Sequence, residues 1–156
     1  MNVSYINPFI ESVHEIFESM FHSEPVRGNI HSTMGCLDND LINATISLHG
    51  SVSGVVVLAL PVETSLVLVN RLLSLDIREV DENVMDGVGE LTNIVAGAAK
   101  SRLPKEDDIP LTLGIPEVFR NDDESQPLPG AEKWVVIPFD SECGAFAIWV
   151  ALGAGS

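Results

Sequence analysis

Apolar positions recur along this chain with two periods, and the switches between them divide it into elements. Ile6, Phe9, Ile10, Val13, Phe17, Met20 and Phe21 recur at helical spacing, which predicts an amphipathic first helix. Asn7-Pro8 supplies a capping side chain followed by proline, so this helix is expected to open there, and Ser23-Glu24-Pro25 breaks it. Val26 to Leu37, interrupted by Gly28 and Gly35, reads as weak strand. At Ile42 the period becomes two: Ile42, Ala44, Ile46 and Leu48 alternate with Asn43, Thr45, Ser47 and His49, the pattern of a half-buried strand. Gly50-Ser51 predicts a tight type II′ turn, and Val52 to Leu60 the returning strand. From Val55 that strand is apolar on both faces, which places it centrally in a sheet.

Pro61 is expected to start a second helix running to about Leu75, with Leu66, Val69, Leu72 and Leu73 inward. A link through Ile77 and Val80 leads to a third. There Asp81 is a good N-cap, Glu82 suits the first turn, and Pro104 forbids continuation past Leu103. Val84, Val88, Leu91, Val95 and Ala98 form its buried face. A short strand near Leu111 to Gly114, then Pro116, then a polar loop over Asn121 to Gly130 follow. The chain ends in a hairpin of Trp134 to Phe139 and Ala145 to Leu152, with its turn at Asp140 to Gly144. This order predicts an α+β, two-layer domain with helices packed on a largely antiparallel sheet, one domain spanning residues 1–156.

The third helix carries a second series between its apolar positions: Asp86, Glu90, Asn93, Gly97 and Lys100. At 3.6 residues per turn the five fall within an arc of about 80°, one polar stripe with Glu90 and Asn93 a turn apart. Gly87, Gly89 and Gly97 each weaken a helix interior by roughly 1 kcal/mol relative to alanine. The expected offset is close approach of another backbone on one side, leaving a slim helix with one carboxylate, one amide and little bulk on the other.

Composition narrows the function classes. Of 156 residues, 46% are apolar, enough for a real core. A formal charge of −15, from 23 acids against 8 bases, argues against nucleic acid and anionic membrane as partners. The longest apolar run, Val55 to Leu60, is far short of a membrane span, and the amino terminus lacks the pattern of a signal peptide. Cys36 and Cys143 lie far apart without C-x-x-C spacing and read as reduced core thiols of a cytoplasmic protein.

A self-sufficient hydrolase needs an activated nucleophile, a metal site or an acid–base pair. His14, His22, His31 and His49 show no H-x-H or H-E-x-x-H spacing, and the chain has neither a G-x-S-x-G elbow nor a P-loop. Glu106-Asp107-Asp108 and Asp122-Asp123-Glu124 read as solvated loops, so no metal ligands and no cofactor-binding residues are assigned. Lys100, Arg102 and Lys105 suit the carboxyl end of a helix or the acidic rim of a partner.

The stripe resembles the signature of the CheC/CheX family of chemotaxis phosphatases: Asp or Ser, three residues, Glu, two residues, Asn, then 22 residues and Pro. Here it reads Asp86, Glu90, Asn93 and Pro116 with every spacing met, and the opening MNVSYINPFIESVHEIFESMF is similar to the amino terminus of CheX members. No Asn stands three residues after Glu11, Glu15 or Glu18, so a single site of the CheX type is expected. The resemblance implies dephosphorylation of a CheY-type response regulator, whose own magnesium and lysine neutralise the phosphoryl charge. Asn93 would orient the attacking water, and Glu90 would pair with the regulator's active-site lysine. Asp86 and Pro116 would support the motif, Pro116 structurally. A homodimer formed by joining sheets is also implied. The alternative from a different class is a non-catalytic response-regulator or flagellar-switch-like binding module.

Overall fold

A computed structural model describes residues 3–35, 37, 40–105, 109–121 and 133–155. The elements in order are α1 (Val3–Phe21), β1 (Val26–Arg27), β2 (His31–Thr33), β3 (Leu41–His49), β4 (Val52–Pro61), α2 (Val62–Leu73), α3 (Glu82–Lys100), β5 (Thr112–Leu113), β6 (Glu117–Asn121), β7 (Trp134–Asp140) and β8 (Phe146–Ala154). Among the described residues eight strands form one sheet in the order β1-β7-β8-β4-β3-β5, with every pairing antiparallel. Along one edge β1 and β2 both pair with β7, and along the other β5 and β6 both pair with β3.

The alternation in β3 sends Ile42, Ala44, Ile46 and Leu48 into one core with Val56, Leu58 and Leu60 of β4 and Ile148 and Val150 of β8. All three helices close over that core through Phe9, Val13 and Phe17 of α1, Leu68 and Val69 of α2, and Val84, Val88 and Leu91 of α3. The opposite parity of β4 supplies Val57 and Ala59 to a second, smaller cluster with Leu37 and Trp134. The strand that is apolar on both faces is therefore central, as its composition predicts.

Several boundaries differ from the sequence reading. Helix α1 begins at Val3, and Pro8 lies inside it. Proline in the second turn forfeits one intrahelical bond. Burial of Ile6, Pro8 and Phe9 outweighs that loss. Helix α2 starts after Pro61 as expected but ends at Leu73, where Ser74 turns left-handed at φ 54°. Leu73 is 41% exposed rather than inward. The buried positions are Thr64, Ser65, Leu68 and Val69, and the two hydroxyls are satisfied by donating to Ala145 O (2.8 Å) and Val62 O (2.6 Å).

The β3–β4 connection is not a two-residue turn. That turn would set His49 opposite Val52, whereas the register sets Leu48 opposite Gly54. Gly50 has φ +130°, and a Cβ there would stand 2.1 Å from Pro110 O. The positive φ and the passing chain both select glycine at this position. Strand β6 was not anticipated. The polar loop expected over 121–130 lies, apart from Asn121, outside the described residues, and Asn121 itself ends β6. Its side chain accepts from Leu41 N (3.1 Å) and from Asn43 Nδ2 (2.8 Å), which fixes β6 against β3. No helix of the described residues is long and apolar enough to cross a membrane.

Candidate functional site

Helix α3 is set by its ends and by one face. Asp81 caps it, its side chain accepting from Val84 N at 3.0 Å. Val84, Gly87, Val88, Leu91, Thr92, Val95, Ala96 and Ala99 are buried, so at the carboxyl end Ala99 takes the place expected for Ala98, which is only half-buried. Arg102, just beyond the helix, donates to Ser12 Oγ (3.0 Å) and pairs with Glu15 and with Glu11 (3.7 Å). That guanidinium ties α3 to α1 and is committed inside the molecule.

The three helix glycines have three different surroundings. A Cβ on Gly87 would stand 2.7 Å from Val69 Cγ1, so glycine here lets α3 seat against α2. A Cβ on Gly89 would meet Val118 Cγ2 at 3.2 Å and Pro116 Cβ at 4.0 Å, so glycine here admits β6. The neighbours are side chains rather than another backbone, which corrects the expected cause. At Gly97 nothing among the described residues lies within 4 Å, and close approach by them accounts for nothing there.

Opposite α3, the sheet edge is irregular. Leu48 pairs with Leu113 and Thr45 with Glu117, so four steps along the edge face three along β3. The extra residue forms a bulge at Gly114-Ile115-Pro116. Gly114 N donates to Ser47 O (2.8 Å), and a Cβ at 114 would lie 2.4 Å from Ser47 Oγ. The bulge directs Pro116 toward α3.

Between helix and edge runs an open groove of about 410 Å³ lined by Met85, Asp86, Gly89, Glu90, Asn93, Pro116 and Val118. All four residues of the sequence motif, three from α3 and Pro116 from the bulge before β6, thus line one depression. Asp86, Glu90 and Asn93 are exposed, and Gly97 and Lys100 half-buried. Among the described residues no side chain of Asp86, Glu90 or Asn93 has an intramolecular hydrogen-bond or ion-pair partner. Thr92, by contrast, donates to Val88 O at 2.7 Å and is buried away from the groove. Met85, Gly89 and Val118 complete the lining. Val118 was missed because β6 was missed, whereas Gly89 was visible as part of the slim helix.

The groove offers two carboxylates, an amide with both donor and acceptor, and an apolar wall. Among the described residues its lining holds no histidine, cysteine or lysine. Among the described residues no three His, Cys, Asp or Glu side chains cluster as a metal site. Cys143 is buried, and that burial pushes its thiol above the ordinary value of 9.0 against the lowering influence of Arg71. It lies outside the groove lining, and Cys36 lies outside the described residues. The arrangement suits binding and orienting a polar, reactive group brought by another molecule.

The family profile of chemotaxis phosphatase CheX matches residues 42–140, more than half of the chain. No curated protein sequence matches significantly. Among solved structures, a CheC-like superfamily protein from Shewanella sp. PV-4 is 25% identical, with 99% of this chain and 100% of that chain covered and a TM-score of 0.84. A chemotaxis protein CheX from Desulfovibrio desulfuricans is 21% identical over 96% and 99%, with a TM-score of 0.80. The chain is also similar, at 19% identity over 95% and 97% and a TM-score of 0.75, to a structure from Borrelia burgdorferi of a CheX–CheY complex with BeF3 and magnesium.

Proposed function

The chain belongs to the CheX family of chemotaxis phosphatases, and from that premise we propose that it hydrolyses the phosphoaspartate of a CheY-type response regulator. The observation that carries the reading is the convergence of Asp86, Glu90, Asn93 and Pro116 on one groove, with the three polar side chains free of partners among the described residues. A phosphoaspartate is already reactive and arrives with its regulator's own lysine and bound magnesium. What remains is to hold a water in line with phosphorus, and positioning alone supplies a large share of such barriers.

Asn93 orients that water. Its amide donates and accepts while carrying no charge, whereas a carboxylate at the same place would repel the phosphoryl oxygens. Glu90, one turn earlier, pairs with the regulator's lysine by a charge-assisted bond. Asp86 lies at the amino-terminal end of the stripe, where a carboxylate favours the helix dipole. Gly89 keeps the groove floor free of a side chain, so a crowded receiver pocket meets α3 closely. Magnesium acts from the regulator, and this chain contributes no ligand to it.

The complex from Borrelia burgdorferi pairs a CheX with a CheY, and a receiver of that type is the partner proposed here, in the cytoplasm. The chain would work as a homodimer joined through a sheet edge. Light scattering at micromolar concentration should then report twice the chain mass, and a monomer at every concentration would remove the dimer while leaving the phosphatase reading intact. The phosphatase reading is tested by incubating the protein with phosphorylated CheY-type receivers and magnesium and following phosphate release. Acceleration for at least one receiver is the expected result. Stable complex formation without acceleration would favour the binding module instead.

A further inference from the structure

Among the described residues Ile115 is the most exposed large hydrophobic side chain, at 88%, ahead of Met34 at 71% and Val26 at 68%. Scattered exposed apolar residues are ordinary and carry no meaning by themselves. Ile115 differs in how it is held. Leu113 and Glu117 on either side are paired with β3, and Gly114 N is bonded to Ser47 O. Pro116 restricts its predecessor to extended backbone. The bulge therefore presents this side chain from a braced main chain, and bulges beside sites commonly re-aim a side chain.

Its position gives the display a purpose. The residue next to it, Pro116, forms the groove wall facing Glu90 and Asn93. A specific protein partner covers roughly 800 Å² of each surface, far more than the mouth of so small a groove. Contact must extend onto the rim, and the bulge is the apolar part of that rim. Around it stand exposed Asp86, Glu90 and Asn93 on the helix side and Glu117 on the strand side, with half-buried Met85 and Val118 in the lining.

We propose that Ile115, pushed outward by the bulge, is a specificity-determining contact that docks into an apolar depression bordering the phosphorylation pocket of the response-regulator receiver. The proposal rests on the phosphatase reading for its partner and adds a second anchor to it. Glu90 and Asn93 engage the reacting centre, and Ile115 adds affinity beside it. Apolar anchors of this kind, ringed by polar groups, dominate the affinity of many interfaces.

The test titrates CheY-type receivers, activated with beryllium trifluoride and magnesium, against the wild-type protein and three variants. Ile115→Ala should raise Kd about five- to thirtyfold, and Ile115→Asp should raise it further. Ile115→Val, which retains most of the apolar surface, should keep most of the affinity. In phosphate-release assays the KM of Ile115→Ala should rise in the same proportion while kcat at saturating receiver stays unchanged. Unaltered Kd and KM in both Ile115→Ala and Ile115→Asp would overturn the proposal while leaving a phosphatase in place. A fall in kcat without a change in KM would also overturn it, by making the residue a support for the groove. Ile115-dependent binding by a wild-type protein that releases no phosphate would uphold the docking contact and remove the catalytic reading. Absence of binding to every activated receiver would overturn both.

Discussion

The two faces of α3 share glycine and little else, and they are put to opposite uses. On the inner face Gly87 is crowded, with Val69 2.7 Å from where its Cβ would be, and Val84, Val88 and Leu91 are buried beside it. On the outer face, among the described residues, Gly97 has nothing within 4 Å, and the side chains of Asp86, Glu90 and Asn93 stand exposed without intramolecular partners. The inner face is already satisfied by the fold. The outer face has its polar capacity in hand, which is the condition for meeting a partner. Glycine near the amino-terminal half admits other elements of the chain, and glycine near the carboxyl end keeps the surface bare.

Substitutions on the two faces should therefore separate turnover from stability. The largest effect is expected from Asn93→Ala, which should lower kcat on a phosphorylated receiver about a hundredfold or more, the scale on which removing one well-placed catalytic hydrogen-bonding group acts. Chemical denaturation should find its stability within about 0.5 kcal/mol of wild type, as for other exposed positions. Glu90→Ala should weaken receiver binding roughly ten- to a hundredfold through loss of a charge-assisted contact, again with unchanged unfolding. On the inner face the signature should invert. Gly87→Ala should cost about 1–3 kcal/mol of stability by overpacking against Val69, while the folded fraction retains its turnover. Pairing it with Val69→Ala should recover part of that loss, because the clash is with that side chain.

The smallest effect is the most discriminating. Gly97→Ala should raise stability by about 0.5–1 kcal/mol, since it removes backbone freedom from the unfolded chain and meets no obstacle in the folded one. Differential scanning calorimetry reads that gain. If turnover on the receiver falls at the same time, the bare surface at Gly97 belongs to the docking footprint. If turnover is unchanged, the footprint ends short of the last turn.

These two faces were unequally legible in the sequence. The buried face follows from periodicity alone, because Val84, Val88, Leu91 and Val95 repeat at helical spacing, and the N-cap at Asp81 was equally plain. The stripe was visible as geometry, but its meaning came from the spacing to Pro116, since an Asp, a Glu and an Asn on a helix specify nothing by themselves. What periodicity could not supply was the far wall of the groove. Strand β6 is five residues long and follows a proline, so no alternating run announces it, and the bulge that places Pro116 exists only as a register difference against β3. Pro8 misled for a related reason. Its local preference marks a helix start, and the burial of Ile6 and Phe9 carries the helix past it. In α2 only Leu73 misled: Val69 is buried and Leu66 and Leu72 pack half-buried against the core, while Thr64 and Ser65 find backbone acceptors and share the buried positions.

The central claim is that the outer face of α3 performs water-positioning catalysis on a phosphorylated receiver while the inner face holds the fold. It is tested most directly by following release of labelled phosphate from a CheY-type receiver with magnesium, using substoichiometric wild-type protein beside Asn93→Ala. Wild type should accelerate decay through many turnovers. A folded Asn93→Ala protein that still binds the receiver should leave decay close to the receiver's own rate. Equal acceleration by both proteins, or none by wild type with any receiver it binds, would contradict the account.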